Sequence, residues 1–244
     1  MNSGTTTWPS GVFILIPAYQ SARTLKTFLP RLMEAVPARC IFAVDDGSLD
    51  GTYNVCTDHG VEAFSHQSNR GKGAALATGF THLMQKGARW IITMDADGQH
   101  AIADLSKFLE AIEAVPRAGI IIGARKMKPG SMPITRIFSN TLTSRLLSVA
   151  TQSRIDDSQC GYRAYCAEFL SQIAIECRRF EMETEVILKA RHLGWPVRFV
   201  KIQTLYFKEK SHISHVLDTL RWIKATSGIW FTLRVWLDMR KSRT

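Results

Sequence analysis

Trp90-Ile91-Ile92-Thr93-Met94-Asp95-Ala96-Asp97-Gly98-Gln99-His100 is the stretch that decides the fold. Its first five residues are apolar or β-branched, follow the turn-like Lys86-Gly87-Ala88, and read as a buried strand. Two carboxylates follow at once, a single residue apart. The C-terminal end of such a strand is where open α/β sheets bind their ligands. Asp95, Asp97 and the Gln99 amide are hard oxygen donors, suited to Mg²⁺ or Mn²⁺ and a diphosphate. Taken alone, the same acids read equally well as the cap of the next helix.

Upstream of this stretch, strands and helices alternate. Val12 to Ile16 is an apolar run stopped by Pro17. Ala22 to Val36 has helical spacing through Leu25, Phe28, Leu29, Leu32 and Val36, interrupted at Pro30. Cys40 to Val44 is a second strand, and Asp50 is placed to cap a helix from about Thr52. A short strand near 61–65 and a helix over 73–85 lead to Trp90. Beyond it come a helix from Ile102 to Val115 and a strand from Gly119 to Gly123. This alternation predicts a parallel sheet with right-handed crossovers. The second half is less regular. It offers a loop over 126–133, helices over 135–150 and 183–193, and a broken strand over 197–207.

Composition narrows the function. The chain has 244 residues, 45% hydrophobic and 21% charged, an ordinary globular make-up. A formal net charge of +10 calls for an anionic partner. The basic residues are dispersed, and neither zinc-finger spacing nor an aromatic RNA-binding signature occurs, which argues against nucleic acid. The five cysteines (Cys40, Cys56, Cys160, Cys166, Cys177) are scattered and odd in number, so a reducing, cytoplasmic setting is expected. No signal peptide is visible, and no apolar run reaches the ~20 residues a membrane span needs.

Three further motifs stand at strand ends. Ile16-Pro17-Ala18-Tyr19-Gln20 closes the first. Val44-Asp45-Asp46-Gly47-Ser48-Leu49-Asp50-Gly51-Thr52 closes the second, where an acid can accept from a base edge or a ribose, or serve as a cap in an Asx-turn. Asn69-Arg70-Gly71-Lys72-Gly73-Ala74-Ala75 opens a helix with backbone N–H groups and two cations, so phosphate could rest there. It lacks the hydroxyl residue of a Walker A loop and the third glycine of a dinucleotide fingerprint. A pyrophosphorylase would carry a glycine-rich loop where Pro17-Ala18-Tyr19 stands.

In this order the motifs resemble the family 2 glycosyltransferases of the GT-A fold. Asp157-Ser158-Gln159-Cys160-Gly161-Tyr162-Arg163-Ala164-Tyr165 is similar to a motif of dolichyl-phosphate mannose and other polyprenyl-phosphate sugar synthases. The departures are Cys160, where Ser or Thr is usual, and Gln20, where Asn then Glu is frequent. The resemblance implies a single α/β domain with a mostly parallel sheet. It implies that Pro17, Tyr19, Asp45, Asp46, Lys72, Asp95, Ala96 and Asp97 contact the nucleotide sugar. Asp95, Asp97 and Gln99 would hold Mg²⁺ or Mn²⁺. Arg125, Arg136 and Arg163 would meet an acceptor phosphate, with Arg163 alternatively pairing with Asp157. The expected catalytic set is Asp97, Arg125, Arg136, Asp157 and Glu183.

The expected reaction is inverting transfer of a hexose from a UDP- or GDP-sugar to polyprenyl or dolichyl phosphate. An alkyl phosphate, with a second pKa near ~6, attacks without a base once positioned. A glycan or lipid hydroxyl would need a carboxylate base. Phe180-Glu181-Met182-Glu183-Thr184-Glu185 offers candidates, Glu181 and Glu185 sharing one helix face, and keeps that alternative open. The same acids also suit the first turn of a helix.

The expected organisation is a flexible start over 1–10, a catalytic domain over 11–210 and a helical tail over 211–244. Val216, Leu220, Ile223 and Trp230 form one apolar stripe of the tail; Trp222, Ile229, Leu233 and Trp236 form another. Basic residues flank both. This pattern suits a helix lying on an anionic membrane, on the inner face of the membrane, and also suits a helix packed on the core or a partner. Lys208-Glu209-Lys210 is a basic turn able to close over donor phosphates.

Overall fold

The computed structural model describes residues 8–125 and 134–203, with backbone alone over 134–139. The expected 126–133 loop, the Lys208–Lys210 turn and the whole 211–244 tail lie outside the described residues, as do residues 1–7.

The elements are β1 (Val12–Ala18), α1 (Ala22–Met33), β2 (Ile41–Asp45), α2 (Thr52–Asp58), β3 (Glu62–Ser65), α3 (Lys72–Gln85), β4 (Trp90–Thr93), α4 (Leu105–Ala114), β5 (Ile120–Arg125), α5 (Ile134–Thr151), β6 (Arg163–Cys166), α6 (Ala167–Leu170), α7 (Met182–His192) and β7 (Val197–Ile202). The seven strands form one sheet in the order β3-β2-β1-β4-β6-β5-β7.

The central strands are apolar on both faces because both faces are covered, as parallel sheets require. Ile14, Leu15, Ile16, Ile91, Ile92, Ile120, Ile121 and Ile122 are all fully buried. Helix α1 lays Leu25, Phe28, Leu29 and Leu32 against this core. Burial of each contributes about 2 kcal/mol. Pro30 cannot donate to the turn before it, and α1 ends at Met33 rather than running on to Val36.

Pro17 is tolerated in a central strand for a geometric reason. Ala18 O accepts from Asp46 N on the β2 side, and Leu15 O accepts from Met94 N on the β4 side. By alternation the missing N–H of Pro17 faces β4. The β1–β4 pairing has already ended, at Leu15 and Thr93, so no ladder bond is lost.

The sheet is mostly parallel, as expected; β6 alone among the described strands runs antiparallel, to both β4 and β5, and separates them. The crossover through α4 skips one strand position, and the buried four-residue segment Arg163–Cys166 fills it.

Candidate active site

The loops after β1 and β2 are stitched together. Ser48 Oγ accepts from Gln20 N at 2.8 Å, Thr52 Oγ1 from Ser21 N at 2.8 Å, and Asp50 Oδ2 from Ala22 N at 2.9 Å. Asp50 Oδ1 also accepts from the N–H and hydroxyl of Thr52, so this one acid caps the starts of α1 and α2. Burial would raise its pKa, but these donors hold it low. Gly47 has φ +77°, and a Cβ there would lie 2.5 Å from the carbonyl carbon of Ser68, so only glycine lets the turn close.

Asp45 and Asp46 are both buried. Asp45 accepts from Ser48 N at 3.1 Å and Ser65 Oγ at 2.8 Å. Asp46 accepts from Arg70 N at 3.0 Å and Gly71 N at 2.7 Å, and pairs with His66 Nδ1 at 2.6 Å. Three of the roughly four acceptor positions of the Asp46 carboxylate are thus engaged in shaping the Asn69-Arg70-Gly71 turn. His66 was not foreseen from the sequence; its Nε2 meets Thr78 Oγ1 at 3.0 Å and ties that turn to α3. Tyr19 is half exposed on this ledge, and Pro17 is buried beneath it.

At the end of β4, Asp97 is exposed and its Oδ1 accepts from Gln99 N at 2.9 Å. Ala96 is buried between the two acids. Asp95 is the centre of a charged cluster. Lys72 Nζ stands 2.7 Å from Asp95 Oδ1 and 2.8 Å from Glu183 Oε1. The first is an ion pair to a buried oxygen that finds no other polar partner among the described residues. Burial alone would raise the Asp95 carboxyl; Lys72, His100 and Arg125 outweigh it and hold its pKa at about 2. Burial would lower the Lys72 pKa, but the two carboxylates raise it above the usual lysine range.

His100 is a second residue that sequence reasoning missed. Its Nδ1 accepts from Asp95 N at 3.1 Å, which leaves the ring proton on Nε2, 3.8 Å from Asp95 Oδ2. The ring stacks on Tyr162 at 4.7 Å. Burial first, then Lys72 and Arg125, push its pKa down to about 4, so it is neutral at pH 7.

Arg125 ends β5 and is gripped by Asp157. Nε meets Oδ2 at 2.7 Å and Nη2 meets Oδ1 at 3.0 Å. Asp157 is fully buried, and Asn140 Nδ2 and Gln159 N also donate to it. It therefore positions the guanidinium. Arg136 lies in the first turns of α5, where its side chain is outside the described residues.

Arg163 departs from its expected place at an acceptor phosphate. It is fully buried, and its guanidinium donates to Cys160 O at 2.6 Å, Glu183 O at 2.7 Å and Ser158 O at 2.8 Å. It locks the 157–162 segment to the start of α7. Cys160 is buried beside it, and burial pushes its thiol up to about 12, so it packs as a small inert residue.

The acidic turn divides by role. Glu183 faces Lys72. Glu185 is fully buried and accepts from Glu176 N, Cys177 N and Lys189 Nζ at 2.9, 2.9 and 2.7 Å. Glu185 braces the loop before α7.

Strand ends that gather acids against a basic turn form a site for a ligand carrying phosphate, and the fold has solved counterparts. The complex of glucosyl-3-phosphoglycerate synthase from Mycobacterium tuberculosis with Mn²⁺, UDP-glucose and phosphoglyceric acid superposes with a TM-score of 0.71, at 13% identity, over 90% of this chain and 79% of that one. The protein is a glycosyltransferase of the GT-A fold. It belongs to glycosyl transferase family 2, whose profile matches residues 13–174. Undecaprenyl-phosphate mannosyltransferase of Micrococcus luteus is 29% identical over 93% of this chain and 99% of its own. Polyprenol monophosphomannose synthase of Mycolicibacterium smegmatis is 32% identical over 78% of this chain and 75% of its own. No helix among the described residues is long and apolar enough to cross a membrane.

Proposed function

We propose that this chain transfers a hexose from a UDP- or GDP-sugar to a polyprenyl or dolichyl phosphate, with inversion and with the help of Mg²⁺ or Mn²⁺. The observation that carries this reading is the Arg125–Asp157 fork beside the Asp95 cluster. A guanidinium fixed at Nε and Nη2 is a preformed half of a cradle for a phosphate acceptor. The names of the two relatives, an undecaprenyl-phosphate mannosyltransferase and a polyprenol monophosphomannose synthase, support the same acceptor class.

The donor would lie across the ends of β1, β2 and β4. Tyr19 offers its exposed ring to the base, above Pro17 and Asp45, and Asp46 keeps one acceptor position for a base N–H. Lys72 stands beside Asp95, where a diphosphate would arrive. Asp95 and Asp97 fit a divalent ion: both are hard donors, and the buried Asp95 Oδ1 finds no polar partner but Lys72 among the described residues. Among those residues no cluster of three or more His, Cys, Asp or Glu is gathered for a metal, so the diphosphate would complete the shell, with Gln99 as a further donor. A bound ion would supply charge stabilisation to the departing nucleoside diphosphate.

Arg125, and Arg136 on the next helix, would orient the acceptor phosphate for attack on the anomeric carbon from the face opposite the diphosphate. A phosphate dianion needs no proton removed, and Glu183 is already committed to Lys72. That commitment favours the phosphate acceptor over a hydroxyl acceptor with a carboxylate base. The tryptophan-rich 211–244 tail would hold the enzyme on the cytoplasmic membrane face, where lipid phosphates lie; deletion after Ser227 should abolish liposome flotation.

The deciding assay combines purified protein, UDP-glucose or GDP-mannose, polyprenyl phosphate and Mn²⁺ or Mg²⁺. Lipid-linked sugar is the expected product, and Asp97→Ala should abolish it. Transfer to hydroxyl acceptors alone would overturn the reading.

A further inference from the structure

Lys72 and Glu183 are 111 residues apart in sequence and meet at Asp95. Resting on the metal-dependent reading above, we infer that Lys72 is a resident cation in the divalent ion's place. It neutralises Asp95 while no metal is bound, and moves wholly onto Glu183 and the incoming diphosphate when a metal ion takes Asp95.

Four observations carry this. The ammonium sits 2.7 Å from Asp95 Oδ1, an oxygen that the rest of the described residues leave to it, so a cation already stands where a metal ion would bind. The ammonium's contact with Glu183 Oε1, at 2.8 Å, is a hydrogen bond and remains available. Glu183 is a fixed dock, since Arg163 grips its backbone carbonyl at 2.7 Å and only 7% of its side chain is exposed. The Phe180 ring, 5.9 Å from Nζ, adds a second surface that favours a cation.

Charge and space both disfavour sharing. A Cβ at Gly161 would stand 2.6 Å from Asp95 Oδ2 and 2.7 Å from Lys72 Nζ, so the backbone there closes one side of the pair. An ion entering against Asp95 meets the lysine instead. Two cations on one carboxylate repel each other, and the incoming diphosphate removes that penalty. Metal binding without nucleotide is therefore weak by construction.

The test is Mn²⁺ binding to the full chain without nucleotide, read by the EPR signal of free Mn²⁺. Lys72→Met should bind roughly tenfold tighter than wild type. Glu183→Gln, which leaves the lysine with Asp95 alone, should bind more weakly. Lys107→Met, which removes a lysine outside the cluster, should match wild type. A crystal of the wild-type protein with Mn²⁺ should show Nζ parted from Asp95 and still on Glu183. Unchanged or weaker binding by Lys72→Met, or an ammonium still paired with Asp95 beside bound metal, overturns the inference. Failure of wild type to bind Mn²⁺ even with UDP or GDP would overturn the metal reading itself, and this inference with it.

Discussion

Asp157 holds Arg125 by two parallel hydrogen bonds, Nε to Oδ2 and Nη2 to Oδ1, at 2.7 and 3.0 Å. The acid is fully buried while 19% of the arginine side chain is exposed, so one partner anchors and the other reaches outward. Asp157→Asn replaces one acceptor oxygen with a donor that opposes the guanidinium. Breaking a buried pair of this kind costs about 3 kcal/mol. The expected result is a lowered Tm and a KM for polyprenyl phosphate that rises far more than the KM for the sugar nucleotide. Steady-state kinetics with each substrate varied in turn checks it; equal rises in both would count against a positioning role.

His100 makes the fold sensitive to acid. Burial depresses its pKa from the ordinary 6.5 to about 4, so it stays neutral in the native state. Between those values the unfolded chain binds a proton that the native chain refuses, and stability falls as pH drops through that window. The loss reaches about 3 kcal/mol near its lower end. Asp95, lowered from 3.8 to about 2, contributes stability that is present above 3.8 and is lost as pH falls towards 2. Urea midpoints from pH 7 to 4 should decline for wild type and decline much less for His100→Asn.

Glu183 and Glu185 lie two residues apart and should respond in opposite ways. Glu185→Gln removes the charge that receives two backbone N–H groups and Lys189. It should lower stability by about 3 kcal/mol and leave kcat of the folded protein near wild type. Glu183→Gln should lower kcat with a smaller change in Tm. Paired melting and turnover measurements decide the matter.

Arg163→Lys keeps the charge but cannot reach three carbonyls from one planar group. Buried carbonyl acceptors are left unsatisfied, at a cost of about 3 kcal/mol. Expression and Tm should fall sharply, while the acceptor KM of the folded fraction stays unchanged. A selective rise in that KM would restore Arg163 to the acceptor site.

The first hundred residues are legible in the sequence because parallel strands and their helices write local signals. The apolar runs of β2 and β4 end in acids and that of β1 ends at Pro17, and all three strands follow those signals. Strand β6 left no such signal. Arg163–Cys166 is four residues long, shows no alternation, and takes its place only because the gap between β4 and β5 must be filled. Arg163 reads as an arginine that meets phosphate or pairs with Asp157, since charged side chains are rarely buried unless partnered, and its actual partners are backbone carbonyls that no pattern announces. Glu183 meets Lys72 across 111 positions, beyond the range of any helical or strand period. His100 lay within sight, five residues after Asp95, but its role depends on a stacking partner at Tyr162.

Strand β6 also acts as a ruler. Asp95 follows β4 and Arg125 ends β5, and the interposed strand holds those two ends two ladder spacings apart, about 10 Å. Backbone hydrogen bonds set that interval, so side-chain substitutions cannot easily stretch it. On the proposed reading it is the berth between departing diphosphate and arriving phosphate, sized for one sugar ring. Selectivity among sugars would then fall to the 157–162 segment that leads into β6 at the same edge, and exchanging that segment between relatives is the way to alter the cargo without disturbing the gap.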